Sequence, residues 1–95
     1  MRIIWSNDSL DDVDRIRDYI TVDSEFYAQI FIEKIIQMTE KLIDFPRQGR
    51  VVPEFQNEDI REIIYRSYRI IYEITGETII ILSILHGRKL LDDRE

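Results

Sequence analysis

Arg61-Glu62-Ile63-Ile64-Tyr65, Tyr68-Arg69-Ile70-Ile71-Tyr72-Glu73-Ile74 and Thr78-Ile79-Ile80-Ile81-Leu82-Ser83-Ile84-Leu85 are three runs rich in isoleucine and tyrosine. They are separated only by Arg66-Ser67 and by Thr75-Gly76-Glu77. β-Branched and aromatic residues suit a pleated, half-buried surface, and links this short leave room only for tight turns. The runs therefore read as an antiparallel meander. In the last run, alternation puts Ile80, Leu82, Ile84 and His86 on one face and Ile79, Ile81, Ser83 and Leu85 on the other. Both faces are apolar, which predicts a central strand covered on both sides.

Upstream the period changes from two to that of a helix. Arg2-Ile3-Ile4-Trp5 reads as a short strand beside the last one. Ser6, Asn7, Asp8 and Ser9 are all competent helix N-caps. Leu10, Val13, Ile16 and Ile20 then recur at helical spacing, with the helix ending near residues 21–23. Its carboxylates (Asp8, Asp11, Asp12, Asp14, Asp18) are predicted on the solvent side. Ser24 reads as a second N-cap. Tyr27, Phe31, Ile35, Met38, Leu42 and Phe45 follow as a near-heptad stripe, widened by Ala28, Ile32, Ile36 and Ile43. This predicts a helix of about 20 residues, roughly 30 Å long. Pro46 ends it, and the short link to the first helix implies an antiparallel hairpin. Residues 46–60 read as loop, punctuated by Pro46, Gly49, Pro53 and Asn57. Residues 89–95 read as a short polar tail. The expected fold is α+β, in the order β-α-α-β-β-β, with residues 1–95 as a single domain.

Composition narrows the function classes. Ninety-five residues support one core. No apolar run approaches the roughly 18 residues of a membrane span. The N-terminal stretch is too short for a signal peptide and has no small-residue cleavage site. Cysteine is absent, which removes disulfide and thiolate chemistry and fits a cytoplasmic location. With one histidine and no cysteine, no metal site and no cofactor is expected. Thirteen basic and nineteen acidic side chains give a net charge of −6. The acidic excess lies in the helical half, and the sheet half is nearly balanced and rich in arginine. An acidic chain is a poor general nucleic-acid binder, yet a local arginine cluster can still hold an anion.

The candidate site residues stand at strand ends or inside apolar strands. His86, the one imidazole, is either a general acid or base or a structural strand-end histidine. Arg61 and Arg69 are either paired with carboxylates, for which Glu54, Glu62 and Glu73 are available, or presented on a functional face. Glu54 follows Pro53 and reads either as a general base or as a salt-bridging loop residue. Arg50 and Arg88 flank the sheet as anion or partner contacts. Tyr65, Tyr68 and Tyr72 read either as stacking platforms or as core residues.

Taken in order, Leu42, Phe45-Pro46, Gly49-Arg50, Pro53-Glu54, Arg61-Glu62-Ile63, Tyr68-Arg69-Ile70-Ile71-Tyr72 and His86-Gly87-Arg88 resemble the RelE/ParE superfamily of toxins from type II toxin–antitoxin modules. The resemblance covers nearly the whole chain. It implies a small plasmid-stabilisation-type toxin neutralised by a cognate antitoxin that wraps the helical hairpin and the sheet. Apolar surface left exposed without that partner allows self-association and a higher-order toxin–antitoxin oligomer. Two activities accompany the resemblance. In the ParE branch the toxin binds and inhibits DNA gyrase, and Arg50, Arg61, Arg69, His86 and Arg88 fall on the binding surface. In the RelE/YoeB branch it is a ribosome-dependent mRNA interferase, with Glu54 as base, Arg69 as phosphate clamp and His86 as acid. A degenerate, non-toxic member is the third reading. The His86-Gly87-Arg88 ending and the Tyr68-Arg69-Ile70-Ile71-Tyr72 strand resemble the ParE branch more, while the acidic net charge and the lack of a lysine-rich loop count against the RelE branch.

Overall fold

In the computed structural model, residues 1–87 are described. The expected tail and Arg88 lie outside them. The chain runs β1 (Arg2–Trp5), α1 (Asn7–Asp23), α2 (Glu25–Glu40), a 3₁₀ turn (Lys41–Ile43), β2 (Arg50–Val51), β3 (Ile60–Tyr65), β4 (Tyr68–Thr75) and β5 (Thr78–His86). The sheet order is β1-β5-β4-β3-β2. The meander β3-β4-β5 is antiparallel, and β1 pairs parallel with β5, Arg2 opposite Thr78. The α+β order expected from sequence is present, with one addition: the region read as loop over 46–60 contains β2, where Arg50 pairs with Glu62 and Val51 with Arg61. Two residues are too few for any alternation to show in the sequence.

Each helix begins where a serine can cap it. Ser6 Oγ accepts from Ser9 N, and Ser24 Oγ accepts from Tyr27 N. The second helix is shorter than expected. It covers 16 residues and then tightens into the 3₁₀ turn ahead of Pro46. Its buried stripe is Ala28, Phe31, Ile35, Thr39 and then Leu42. Tyr27 and Phe45, placed on that stripe from sequence, are 63% and 65% exposed. Both helices cover one face of the sheet. There Phe31, Ile35 and Leu42 meet Ile63, Ile70, Tyr72, Ile79, Ile81 and Ile84. The other face carries a smaller cluster of Val52, Ile71 and Leu85, with Ile60 and Leu82 packed against it.

The alternation expected for the last strand fails at one point. Ile71 faces Ser83 but Tyr72 faces Ile81, so Leu82 is an extra residue in a β-bulge. After it Ile84, not Ser83, points to the helices and joins Ile79 and Ile81 in the core. The bulge is tied to the start of α1. Ser6 N donates to Ile81 O, Ser6 Oγ donates to Leu82 O, and Ile84 N donates to Asp12 Oδ2 at 2.9 Å. Asp12 is 1% exposed, which corrects its predicted place on the solvent face. Helical spacing puts it one residue before Val13, at the rim of the apolar stripe, and the strand amide draws it inward. Asp12→Ala leaves the buried Ile84 N–H without its acceptor and is expected to lower stability by about 1–3 kcal/mol. Asp12→Asn keeps an acceptor oxygen and should lose less. Urea titration of the three proteins checks this, and equal losses for both variants would refute the role given to Asp12.

Candidate functional site

The helix-free face of the sheet holds a cleft of about 760 Å³, lined by residues that include Arg50, Pro53, Glu54, Ile64, Arg66 and Arg69. Neighbours along a strand point to opposite faces. In β4, Tyr68, Ile70 and Tyr72 therefore face the helices, while Arg69 and Ile71 face the cleft side. In β3, Ile63 and Tyr65 face the helices, while Glu62 and Ile64 do not.

Arg69 is the centre of this face. Its Nε donates to Glu62 Oε1 at 2.6 Å, and its two Nη atoms donate to the two Glu54 oxygens at 2.8 and 2.9 Å. The fork of the guanidinium matches the Glu54 carboxylate in the bidentate geometry that arginine favours. The Arg69 and Glu62 side chains are 7% and 0% exposed. Glu62 takes a second cation, Arg50 Nε, at 2.5 Å. Hydrogen bonding to Glu54 raises the Arg69 pKa above its ordinary value, so the group stays charged at any working pH.

The loop that carries Glu54 is itself held by arginine and tyrosine. Arg61 donates to Glu58 O, Gly49 O and Arg47 O, so this sequence candidate braces backbone carbonyls. Tyr72 Oη donates to Pro46 O at 2.7 Å and accepts from Gly49 N at 3.0 Å. Burial pushes the Tyr72 phenol up, against the opposing pull of the Gly49 hydrogen bond. Gly49 has to be glycine for space: a Cβ there would stand 2.5 Å from Glu62 O and 2.8 Å from Tyr72 Oη.

Of the three residues in the endonuclease reading, the structure brings Glu54 and Arg69 together. His86 is the strand partner of Tyr68, and its ring packs edge-on to the Tyr68 ring at 5.9 Å. Tyr68 in turn packs on Phe31 of α2 at 5.3 Å. His86 thus lies on the helix side of the sheet and the Glu54–Arg69 pair on the other. Of the tyrosines weighed for stacking, Tyr72 is core, and Tyr65 and Tyr68 are half-buried against it. Arg66 was passed over in the sequence because it stands in a turn. It lines the cleft with φ at +54°, a left-handed conformation that side chains rarely adopt. No sequence signal marks it, since glycine or asparagine is the usual sign of such a position.

Two further surfaces are apolar. A groove of about 210 Å³ between β1 and the helices is lined by Trp5, Leu10, Val13, Ile32, Ile35 and Ile36. At the hairpin tip, Tyr19, Val22, Phe26 and Tyr27 are each more than 60% exposed. Among the described residues no helix is long and apolar enough to cross a membrane.

A helical hairpin packed on one face of a mixed sheet is the fold that the resemblance to the RelE/ParE superfamily implies. The family described as "ParE toxin of type II toxin-antitoxin system, parDE" matches residues 3–91. The chain belongs to this ParE toxin family, and is thereby the toxin component of a type II module with a cognate antitoxin as partner. Among solved structures it is similar in fold to one described as "Chromosomal ParDE TA system from P. aeruginosa". The two share 22% identity over 90% of this chain and 95% of the other, with a TM-score of 0.74. No curated protein matches the sequence.

Proposed function

We propose that this protein inhibits DNA gyrase and is held inactive by its antitoxin. One observation carries the reading: the sheet separates His86 from the Glu54–Arg69 pair. An mRNA interferase needs an acid, a base and a phosphate clamp within reach of one scissile phosphate. Here Arg69 is already engaged by two carboxylates, and the one imidazole faces the helix side. The net charge of −6 also opposes approach to the ribosome.

An inhibitor that works by binding needs surface, and this chain has it. The aromatic hairpin tip suits a contact with a target protein, because tyrosine and phenylalanine give large area at low entropic cost. The groove beside β1 suits an antitoxin segment that lays a helix into it or adds a strand at the β1 edge.

The test follows mRNA integrity in a translation extract alongside supercoiling by purified gyrase. Blocked supercoiling or trapped cleaved DNA, with mRNA intact, is the expected result. Ribosome-dependent cuts in mRNA with normal supercoiling would overturn the reading and turn attention to how His86 could reach the cleft.

A further inference from the structure

We infer that the hairpin tip, together with the β3–β4 turn beside it, docks on the same surface of a second copy of this chain and closes a two-fold dimer. Such a dimer forms from the free toxin, whichever target the toxin has. The face is the one given above to the target, so a dimer covers what a target would meet.

Geometry is the first ground. Tyr65 and Tyr68 stand opposite each other at the end of the β3–β4 ladder and flank Arg66-Ser67. The Arg66 guanidinium turns from the cleft to the helix side. Its Nε donates to Tyr65 Oη at 3.2 Å, and its carbon stands 5.6 Å from the ring centroid. That hydrogen bond first, and the Tyr27 phenol as well, raise the Arg66 pKa, which puts Tyr27 beside the cation. Phe26 packs edge-on to Tyr27 at 5.6 Å. On the Tyr68 side, burial and then the nearby Tyr19 push the Tyr68 phenol up. Asp23 follows Tyr19 by one turn on the same face of α1. One exposed aromatic patch therefore carries Arg66 at one margin and Asp23 at another.

Charge is the second. Among the described residues Arg66 meets no carboxylate and Asp23 no cation. Residues 18–27 hold Asp18, Asp23 and Glu25 and no lysine or arginine, so a nucleic acid or an anionic membrane is a poor occupant. In a two-fold contact, residue i meets j and j meets i. A second copy thus supplies a carboxylate for Arg66 and a cation for Asp23, in two symmetric pairs around a shared aromatic centre. A guanidinium already held on a ring loses little further freedom when it pairs.

Area sets the strength. At their exposures Tyr19, Phe26 and Tyr27 offer roughly 100–180 Å² each. With Val22 and Arg66 the face reaches about 500 Å² per copy, so the dimer buries about 1,000 Å², the lower bound of a specific contact. A reversible, micromolar dimer matches that area. The backbone at Arg66 allows a clean variant. Its φ is +54°, where aspartate and asparagine are among the best tolerated side chains, so Arg66→Asp keeps the turn.

The experiment is sedimentation velocity on the full chain from about 1 to 200 μM. The parent should pass from monomer to dimer. Arg66→Asp and Asp23→Arg should each weaken the dimer about tenfold or more, by setting like charges against each other. An equimolar mixture of these two variants restores both opposite-charge pairs and should dimerise as the parent does, which a misfolded variant could not. Phe26→Ser should weaken the dimer, while Ile36→Ser, in the groove beside β1, leaves it unchanged. A parent that stays monomeric to the highest concentration, single variants that dimerise as the parent does, or a mixture that stays monomeric overturns the inference. So does assembly beyond the dimer, which an open head-to-tail contact would give.

Discussion

Glu62→Ala is expected to lower the stability of the fold by about 3–5 kcal/mol, read as a shift of the urea midpoint at unchanged slope. Its side chain is fully buried and bridges Arg69 and Arg50 at 2.6 and 2.5 Å. Removing it leaves Arg69, itself 7% exposed, with an Nε–H that has lost its anion. Glu54 still holds both Nη atoms, so the loss comes from the buried Nε–H left without an acceptor and from the local excess of positive charge once Arg50 and Arg69 no longer share Glu62. The double variant Glu62→Leu with Arg69→Met removes the buried pair at similar volume and should recover part of the loss, with Glu54, whose side chain is 19% exposed, turning to solvent. A single-variant loss below about 1 kcal/mol would show that water reaches Arg69 and that the network is peripheral.

Phe31→Ala should have an effect of similar size, about 3–5 kcal/mol, for an apolar reason. The Phe31 ring is 3% exposed and packs on Tyr65 and Tyr68 with centroids 6.2 and 5.3 Å away. It is the aromatic wedge between α2 and the turn end of the β3–β4 hairpin, and Tyr68 passes the contact on to His86. Beyond the urea midpoint, near-ultraviolet circular dichroism should weaken, since three neighbouring rings lose their fixed packing. An intact aromatic signal with a loss under about 1.5 kcal/mol would mean that the site collapses around the cavity.

The meander, the helical hairpin and both helix caps were legible because each rests on a local rule: alternation, the 3.6-residue period, or a serine before a helix. What escaped rests on contacts distant in sequence. Leu82 looks like any strand residue, and only the serine and aspartate at the start of α1, more than 70 positions away, show why the ladder slips there. Asp12 reads as a surface acid because helical periodicity describes the helix alone and not the amide it meets. Arg50–Val51 forms a strand only because Glu62 and Arg61 stand opposite. For the site, Glu54, Arg69 and His86 were grouped only by the family resemblance, and local reading left Glu54, Glu62 and Glu73 all open as carboxylate partners of Arg69. The side of the sheet on which His86 falls depended on the bulge before it. By unbroken alternation His86 would share a face with Ile80 and Leu82; the extra residue instead turns it toward Tyr68 and the helices.

The parallel pairing of β1 with β5 bears on when the molecule comes into being. The first strand of the fold to be made joins the last one, with Arg2 and Thr78 standing 76 positions apart. At a synthesis rate of about 5–20 residues per second, β1 waits roughly 4–15 s for its neighbour. During that interval the sheet lacks its penultimate strand, Asp12 has no strand amide to accept from, and the core beneath the helices is open. Closure of the fold is a late, long-range event of the kind that sets slow folding rates. A nascent chain of this fold is thus an incomplete one, and the wait before it is whole is written into the order of its strands.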